Sequence, residues 1–153
     1  MRMMMTRRGL SSVLLGGCLA LAGSRNARAQ SPRHAATLYR DPECGCCAGY
    51  GEYLGQNGFG VTIVPTDDLS RINRQHGVPP NLEGCHLTQI DRYVVGGHVP
   101  VGLINRLLAG RPSIRGITLP GMPLGSPGMT GSKTEPFTIY EISSGRPRVY
   151  AVE

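Results

Sequence analysis

Between residues 36 and 109 the hydrophobic positions switch repeatedly between the two-residue period of strands and the longer period of helices. Apolar runs closed by Pro, Gly or Asp predict strands at 36–40, 61–64, 88–90 and 93–95, with a tight turn near 91–92. Helical spacing predicts helices from about 44 to 57, from Asp67 or Asp68 onward, and from 100 to 109. The predicted order is therefore β-α-β-α-β-β-α.

The predicted helices each place apolar side chains on one face. These side chains are Cys47, Tyr50 and Leu54 in the first helix, Leu69, Ile72 and His76 in the second, and Val101, Ile104, Leu107 and Leu108 in the third. Gly49, Gly51 and Gly55 weaken the first helix, because each glycine costs roughly 1 kcal/mol against alanine. That helix therefore depends on its surroundings more than on propensity.

The remainder of the chain predicts a loop followed by a hairpin. Residues 111–133 are rich in Gly and Pro and predict an ordered loop, and residues 137–142 and 148–152 predict two paired strands. A strand that leads into a helix with a Cys-x-x-Cys pair in its first turn is typical of thioredoxin-like proteins. We predict an α/β, thioredoxin-like fold, with a mixed sheet flanked by helices and an extra C-terminal β-hairpin.

The first 29 residues have the pattern of an export signal. Arg2, Arg7 and Arg8 precede a 14-residue apolar run, and a small-residue cleavage site at 27–29 would leave Gln30 as the new terminus. Residues 6–10 resemble a twin-arginine motif. We therefore expect a signal peptide at 1–29, a single domain at 30–153, and a periplasmic location without a stable membrane span.

Two further features qualify this expectation. Residues 15–18 could alternatively form a lipoprotein attachment box, with Cys18 carrying the lipid. From Gln30 onward the chain has 11 Lys and Arg residues and 10 Asp and Glu residues, so the excess of basic residues lies largely in the predicted leader. Without a basic stripe or any tryptophan, nucleic acid is not an expected partner.

Three cysteines stand within four residues at the start of the first predicted helix. These are Cys44, Cys46 and Cys47, and Cys85 is the only other cysteine after the leader. Four cysteines, an even number, would also fit a disulfide framework. Structural bridges usually pin distant loops, whereas three of these four cysteines are neighbours. The crowding predicts that they bind a soft metal, cycle through a disulfide, or do both.

The helix start favours reactive thiolates. Unpaired amide groups there carry partial positive charge, which lowers cysteine pKa values, and the thiolate is both the nucleophile and the metal ligand. Thiol–disulfide exchange needs only Cys44 and Cys47, with one of them as the attacking group. The additional thiol at Cys46 argues for metal, and sulfur ligands select Cu(I), zinc or an iron–sulfur cluster.

Cys85, His86 and His98 are candidates to join the cluster. In a thioredoxin-like sheet the segment of Cys85 and His86 faces the Cys-x-x-Cys helix start, but both can be ligands only where the backbone is irregular, because strand neighbours point to opposite sides. A bridged or buried Cys85, and histidines that only hydrogen-bond, are the alternatives. Residues 31–36 are expected to form a flexible terminus, so His34 is interpreted as a solvated tail residue in preference to a terminal metal ligand. His76 is interpreted as a helix-end residue. Core packing is favoured over copper ligation for Met122 and Met129.

Five motifs occur in order: Cys-Gly-Cys-Cys, Gly-Val-Pro-Pro, Gly-Cys-His, Gly-Gly-His-Val-Pro and Pro-Gly-Met-Pro-Leu-Gly-Ser-Pro-Gly-Met. From about Leu38 to Met129 they resemble the exported metal-binding proteins of the CopG-like family, which was formerly of unknown function. The resemblance implies a thioredoxin-like periplasmic protein of copper resistance, with a cysteine-bridged Cu(I) site and redox interconversion between copper and thiol or disulfide states. By motif, it implies the metal ligands Cys44, Cys46, Cys47, Cys85, His86 and His98.

The function expected from these observations is Cu(I) binding for copper resistance or homeostasis, with more than one ion per chain. Copper ions and other periplasmic copper-handling proteins are the expected partners. Cys44 and Cys47 would be the catalytic residues if the site also turns over as an oxidoreductase. A metal-free thiol–disulfide oxidoreductase for exported proteins and a merely disulfide-stapled domain are the alternatives.

Overall fold

The computed structural model describes residues 33–153, so the predicted leader and Cys18 lie outside the described residues. The strands are β1 (His34–Arg40), β2 (Phe59–Pro65), β3 (His86–Ile90), β4 (Tyr93–Gly97), β5 (Gly116–Leu119), β6 (Thr138–Ile142) and β7 (Val149–Val152). The α-helices are α1 (Gly45–Gln56), α2 (Leu69–Gln75) and α3 (Val101–Gly110), and a short 3-10 turn covers Pro80–Leu82. The fold is mixed α/β, as predicted.

The seven strands form one mixed sheet in the order β2-β1-β3-β4-β5-β6-β7. Strand β1 is parallel to β2 and antiparallel to β3, and β4 is antiparallel to β3 and parallel to β5. The last two strands add an antiparallel hairpin at one edge. This hairpin is the predicted C-terminal extension of the sheet.

Side-chain alternation along the central strands divides the core between the two faces of the sheet. Ile90 and Val95 pack into the larger cluster together with α1 and α3. Leu87 and Val94 pack into a smaller cluster beneath α2 and the 3-10 turn. Because strand neighbours point to opposite faces, one sheet supports both clusters. The first cluster also contains Cys47 and borders Cys44, Cys46 and Cys85.

Several predicted element boundaries were accurate. Helix α1 begins after Cys44 and ends at Gln56, with Cys47, Tyr50 and Leu54 buried as predicted. The Asp68 side chain caps α2 by accepting a hydrogen bond from the Arg71 amide at 2.9 Å. These local signals work because a cap or an apolar stripe is decided by residues within one or two turns.

Two predictions about irregular segments were wrong. Residues 111–133 are not only a loop, because β5 lies within them and all four of its residues are buried. A four-residue run among glycines and prolines gives no strand period, and only pairing with β4 and β6 makes it a strand. The chain is also ordered earlier than expected, since β1 begins at His34.

The glycines of α1 have different roles. A Cβ atom on Gly49 would meet the Gly128 carbonyl oxygen at 2.8 Å, so helix and loop approach too closely for any side chain there. A Cβ on Gly51 would contact the Ile63 side chain at 3.3 Å, whereas nothing lies within 4 Å of Gly55. Gly49 therefore lowers the helix propensity of α1 but permits close contact with the loop that follows β5.

Candidate metal centre

The first three cysteines lie where β1 passes into α1. Cys44 precedes the first helical residue, with no side chain capping the amides there. The Arg40 guanidinium donates to the carbonyls of Asp41, Pro42 and Cys44 at 3.2, 2.9 and 3.0 Å. These three bonds hold the connection that carries Cys44 against the end of β1.

Cys44 and Cys47 form a disulfide, and Cys46 and Cys85 are free. The bridge joins two residues of one helical turn and closes no long loop, so it does not pin distant parts of the chain. Cys46 remains beside it, with its Sγ atom 3.5 Å from that of Cys44. The structural bridge from the cluster to Cys85, one of the alternatives, is absent from the described residues.

Cys85 lies in a bend immediately before β3. Its Sγ atom is 4.0 Å from Cys46 Sγ, and the Sγ atom of Cys47 is 3.5 Å from the Cys85 carbonyl oxygen. A Cβ on the preceding Gly84 would meet the Gly97 amide nitrogen at 2.6 Å. Two glycines thus let the backbone before Cys85 touch the backbone before His98, and the irregular bend frees Cys85 from strand alternation.

His98 is held from several sides. Its Nε2 atom lies 3.3 Å from Cys85 Sγ, and its Nδ1 atom lies 2.7 Å from the Pro127 carbonyl oxygen. That carbonyl accepts a hydrogen bond, so Nδ1 carries the proton and the Nε2 lone pair faces the sulfur. Burial lowers the pKa of His98, which keeps the ring neutral. A neutral ring with a fixed tautomer is prepared for metal ligation.

The backbone on either side of Pro100 is fixed by two tyrosines of α1. The Tyr50 hydroxyl donates to the Val99 carbonyl at 2.8 Å, and the Tyr53 hydroxyl accepts from the Val101 amide at 2.9 Å. The ring of Tyr50 also packs against the His86 ring, with centroids 4.6 Å apart, and against the His98 ring at 5.2 Å. Helix α1 therefore positions both imidazoles as well as three sulfurs.

His86 is fully buried at the start of β3. Its Nδ1 atom lies 3.3 Å from Cys85 Sγ, and its Nε2 atom is buried without a hydrogen-bond partner among residues 33–153. Burial, and then the nearby His98 ring, lower the pKa of His86 to about 3. The ring is therefore neutral, and Nδ1, the nitrogen beside Cys85 Sγ, is the atom placed to bind a metal ion.

The sulfurs and imidazoles form two overlapping groups. The sulfur atoms of Cys44, Cys46, Cys47 and Cys85 lie within 4.8 Å of one another, and so do the ligand atoms of Cys85, His86 and His98. Cys85 is common to both groups. The imidazoles are buried, whereas Cys44, Cys46 and Cys85 are partly exposed, so the sulfur side of the cluster is open to solvent.

The surroundings of Cys85 disfavour the ionised thiolate in the absence of a metal ion. Burial, and then the neighbouring Cys46, raise the pKa of Cys85 to about 12. A bound cation reverses this balance, because a coordinating thiol is deprotonated by the metal charge. The chemistry of the donor set, soft sulfur with neutral imidazole, fits a soft or borderline metal ion.

The other sequence candidates lie elsewhere. His34 is at the far end of β1 and contacts Asp91 at 3.0 Å, so the interpretation as a flexible tail residue was wrong. His76 caps the end of α2, as predicted. Met122 is 44% exposed, which contradicts the core interpretation, and Met129 is half-buried.

Sequence reasoning missed three supporting residues. Arg40, Tyr50 as a neighbour of both histidines, and the Pro127 carbonyl were not among the predicted site residues. The sequence did contain a signal for the Pro127 carbonyl, because Pro-Gly-Met occurs twice in the loop and the second copy begins at Pro127. The partners of Arg40 and Tyr50 are set by tertiary contacts and had no such pattern.

Two further structural observations bear on the site. A groove of about 520 Å³ lies at the start of β1, lined by residues that include Arg33, His34 and Phe59, at the opposite end of that strand from Cys44. A metal ion held by side chains needs no such volume, so we place the site at the cysteines. Among residues 33–153, none of the helices has the length and apolar character needed to cross a bilayer.

Comparison with known proteins places the chain among copper resistance proteins. A family described as "Protein of unknown function, DUF411" matches residues 82–129, the part that contains Cys85, His86, His98 and Pro127. Among curated proteins, none matches the chain. The solved structure of copper resistance protein copG in form 2 is 37% identical, with a TM-score of 0.73, covering 80% of this chain and 99% of that one. Form 1 is also 37% identical, with a TM-score of 0.72, covering 78% and 96%. The chain therefore belongs to the CopG family of copper resistance proteins.

Proposed function

We propose that this chain is a periplasmic copper-binding protein whose thiolate-rich Cu(I) site serves copper resistance or homeostasis. The observation that carries the proposal is the meeting of four cysteine sulfurs within 4.8 Å, beside two buried histidines. Soft sulfur ligands select Cu(I) over the harder divalent ions. The solved relatives are named for copper resistance, which agrees with this chemistry.

In the reduced chain, the ligands would be Cys44, Cys46, Cys47, Cys85, His86 and His98. Six donors exceed the four of one tetrahedral ion, and shared sulfurs would allow more than one Cu(I) per chain. Copper is the cargo of this site, exchanged with other periplasmic copper-handling proteins. The partly exposed sulfurs would give an ion its entrance, and the buried imidazoles would form the inner wall.

Two finer expectations support this role. Export through the signal peptide at residues 1–29 would place the cysteines in the periplasm, where a copper-binding site would meet incoming copper. The arrangement of β1 leading into α1, with Cys44 and Cys47 around its first turn, supports a thioredoxin-like classification of the mixed sheet. Such a fold would present the cluster at the positive end of a helix.

The test is an anaerobic Cu(I) titration of the fully reduced protein against a chromophoric Cu(I) chelator. We expect more than one copper retained per chain, with ultraviolet thiolate-to-copper charge-transfer absorption. The His34→Ala variant is a matched control, because that histidine lies outside the cluster. If the reduced protein surrendered all its copper to a weak competitor, the proposed function would be wrong.

A second candidate function is a thiol–disulfide oxidoreductase for exported proteins that needs no metal. The disulfide between Cys44 and Cys47 at the start of α1 favours it. After an external dithiol has reduced this bridge, one thiolate would attack a substrate disulfide, and the other would displace the reduced substrate from the mixed disulfide and re-form the bridge. Cys46 has no part in that exchange. Insulin reduction by the metal-free Cys46→Ser variant should then equal that of the unmodified protein, whereas copper retention should fall.

A further inference from the structure

The disulfide leaves a second set of metal donors intact. Sulfurs of Cys44 and Cys47 that are bonded to each other are not thiolates and offer little to a metal ion. Cys46 and Cys85 remain free, and Cys85 is grouped with His86 and His98. The disulfide-bonded chain therefore still presents one sulfur and two imidazoles together, with another free sulfur beside them.

The spacing of these donors agrees with a single ion. Zinc bonds of about 2.3 Å to sulfur and about 2.0–2.1 Å to nitrogen put tetrahedral sulfur and nitrogen ligands roughly 3.5 Å apart, and two sulfurs roughly 3.8 Å apart. Cys85 Sγ lies 3.3 Å from His86 Nδ1 and 3.3 Å from His98 Nε2. Cys46 Sγ lies 4.0 Å from Cys85 Sγ, but it is grouped with the other sulfurs and not with the two imidazoles. Shifts of a few tenths of an ångström would bring the donor atoms of Cys85, His86 and His98 to zinc separations.

The surroundings also suit a divalent ion. The Pro127 carbonyl, 2.7 Å from His98 Nδ1, directs the other nitrogen of that ring toward Cys85. His86 and His98 are both buried, and their rings pack edge to face with centroids 4.8 Å apart. A mixed set of thiolate and neutral imidazole is a common donor set for zinc.

We propose that the disulfide-bonded form of this protein binds one zinc ion through Cys85, His86 and His98, with a water molecule as the fourth ligand. The same cluster would then select its ion by the state of Cys44 and Cys47: Cu(I) when they are thiols and zinc when they are bridged. This inference rests on the proposed function, because both assume that the cluster binds metal ions. It adds zinc as a second ion and makes its binding depend on the Cys44–Cys47 disulfide.

The experiment is a titration of the disulfide-bonded protein with zinc sulfate against a chromophoric zinc chelator, after mass spectrometry has verified the Cys44–Cys47 bridge. We expect one zinc per chain. The Cys85→Ala and His98→Ala variants should bind zinc at least 100-fold more weakly, whereas His34→Ala should bind it like the unmodified protein. Failure of the bridged protein to retain zinc, or retention unaffected by Cys85→Ala, would overturn the proposal.

A measurement on the unmodified protein avoids dependence on the folding of the variants. Cobalt(II) should replace zinc in the bridged form and give the intense visible bands of a tetrahedral site, together with sulfur-to-cobalt charge transfer in the near ultraviolet. The weak bands of six-coordinate cobalt would contradict the tetrahedral thiolate and imidazole site.

The two proposals fail separately. If the reduced protein retains Cu(I) but the bridged protein does not retain zinc, the zinc inference is wrong and the copper function stands. If the bridged protein retains zinc but the reduced protein releases Cu(I), the copper function is wrong and the zinc site stands.

Discussion

The Nε2 atom of His98 lies 3.3 Å from the Sγ atom of Cys85, although 13 residues separate them along the chain. The contact exists because β3 and β4 are antiparallel neighbours, which brings the bend before β3 beside the loop after β4. Cys85 thereby belongs to both the sulfur group and the imidazole group. It is the residue on which the predicted metal chemistry depends most.

The Cys85→Ser variant should lose more Cu(I) affinity than a change of any residue that only hydrogen-bonds to a ligand. Loss of such a supporting hydrogen bond typically lowers metal affinity roughly 10–100-fold, and loss of a sulfur shared by both groups should exceed that range. Cys46→Ser is the comparison, because Cys46 belongs to the sulfur group alone. Competition with a chromophoric Cu(I) chelator measures both. Equal losses for the two variants would contradict the central position of Cys85.

Gly49→Ala should lower the free energy of unfolding by about 1–3 kcal/mol, because its Cβ would overlap the Gly128 carbonyl oxygen at 2.8 Å. Gly55→Ala in the same helix should instead raise it by about 0.5–1 kcal/mol, since nothing lies within 4 Å of the added methyl group. Urea unfolding at neutral pH measures both changes. A stabilising Gly49→Ala would show that the loop can move away at little cost.

Tyr50→Phe should lower the free energy of unfolding by about 1–3 kcal/mol, because the Val99 carbonyl would lose its buried hydrogen-bond donor. The aromatic ring beside both imidazoles would remain, so the effect isolates the hydroxyl. A weaker metal affinity should accompany it, since the backbone next to His98 loses one restraint. An unfolding free energy equal to that of the unmodified protein would mean that the hydroxyl bond contributes nothing net.

Metal-free protein should become less stable as the pH falls below about 6.5, the ordinary pKa of the histidine ring. Folding lowers the pKa of His86 to about 3, so between these two values the unfolded chain binds more protons than the folded chain. The free energy of unfolding then falls by up to about 1.4 kcal/mol per pH unit for this group. His98 acts in the same direction.

Urea unfolding of the metal-free protein at a series of pH values between 7 and 4 provides the measurement. His86→Gln should flatten the profile, because glutamine does not titrate. A stability that stays constant or increases on acidification would contradict a buried, neutral His86.

Most of the secondary structure follows from local pattern, and the failures have one cause. The Asp68 cap of α2 and the apolar stripes of α1 and α3 are decided within a few residues, so they were predictable. Strand β5 was not, since its four residues carry no period of their own and become a strand only between β4 and β6. Exposure of Met122 likewise depends on how its loop packs and not on its residue type.

The candidate ligands were identified by sequence, because cysteine and histidine carry soft-metal chemistry wherever they stand, and three neighbouring thiols need an explanation. The sequence also determined that the first three cysteines share one helix start. Only the tertiary structure decided that Cys85, His86 and His98 meet, because strand pairing and the close backbone contact of Gly84 with Gly97 act across the chain. It also decided that the Pro127 carbonyl orients His98. Residue type determines which atoms can bind a metal, but distances between remote residues are set by the packing of the whole sheet.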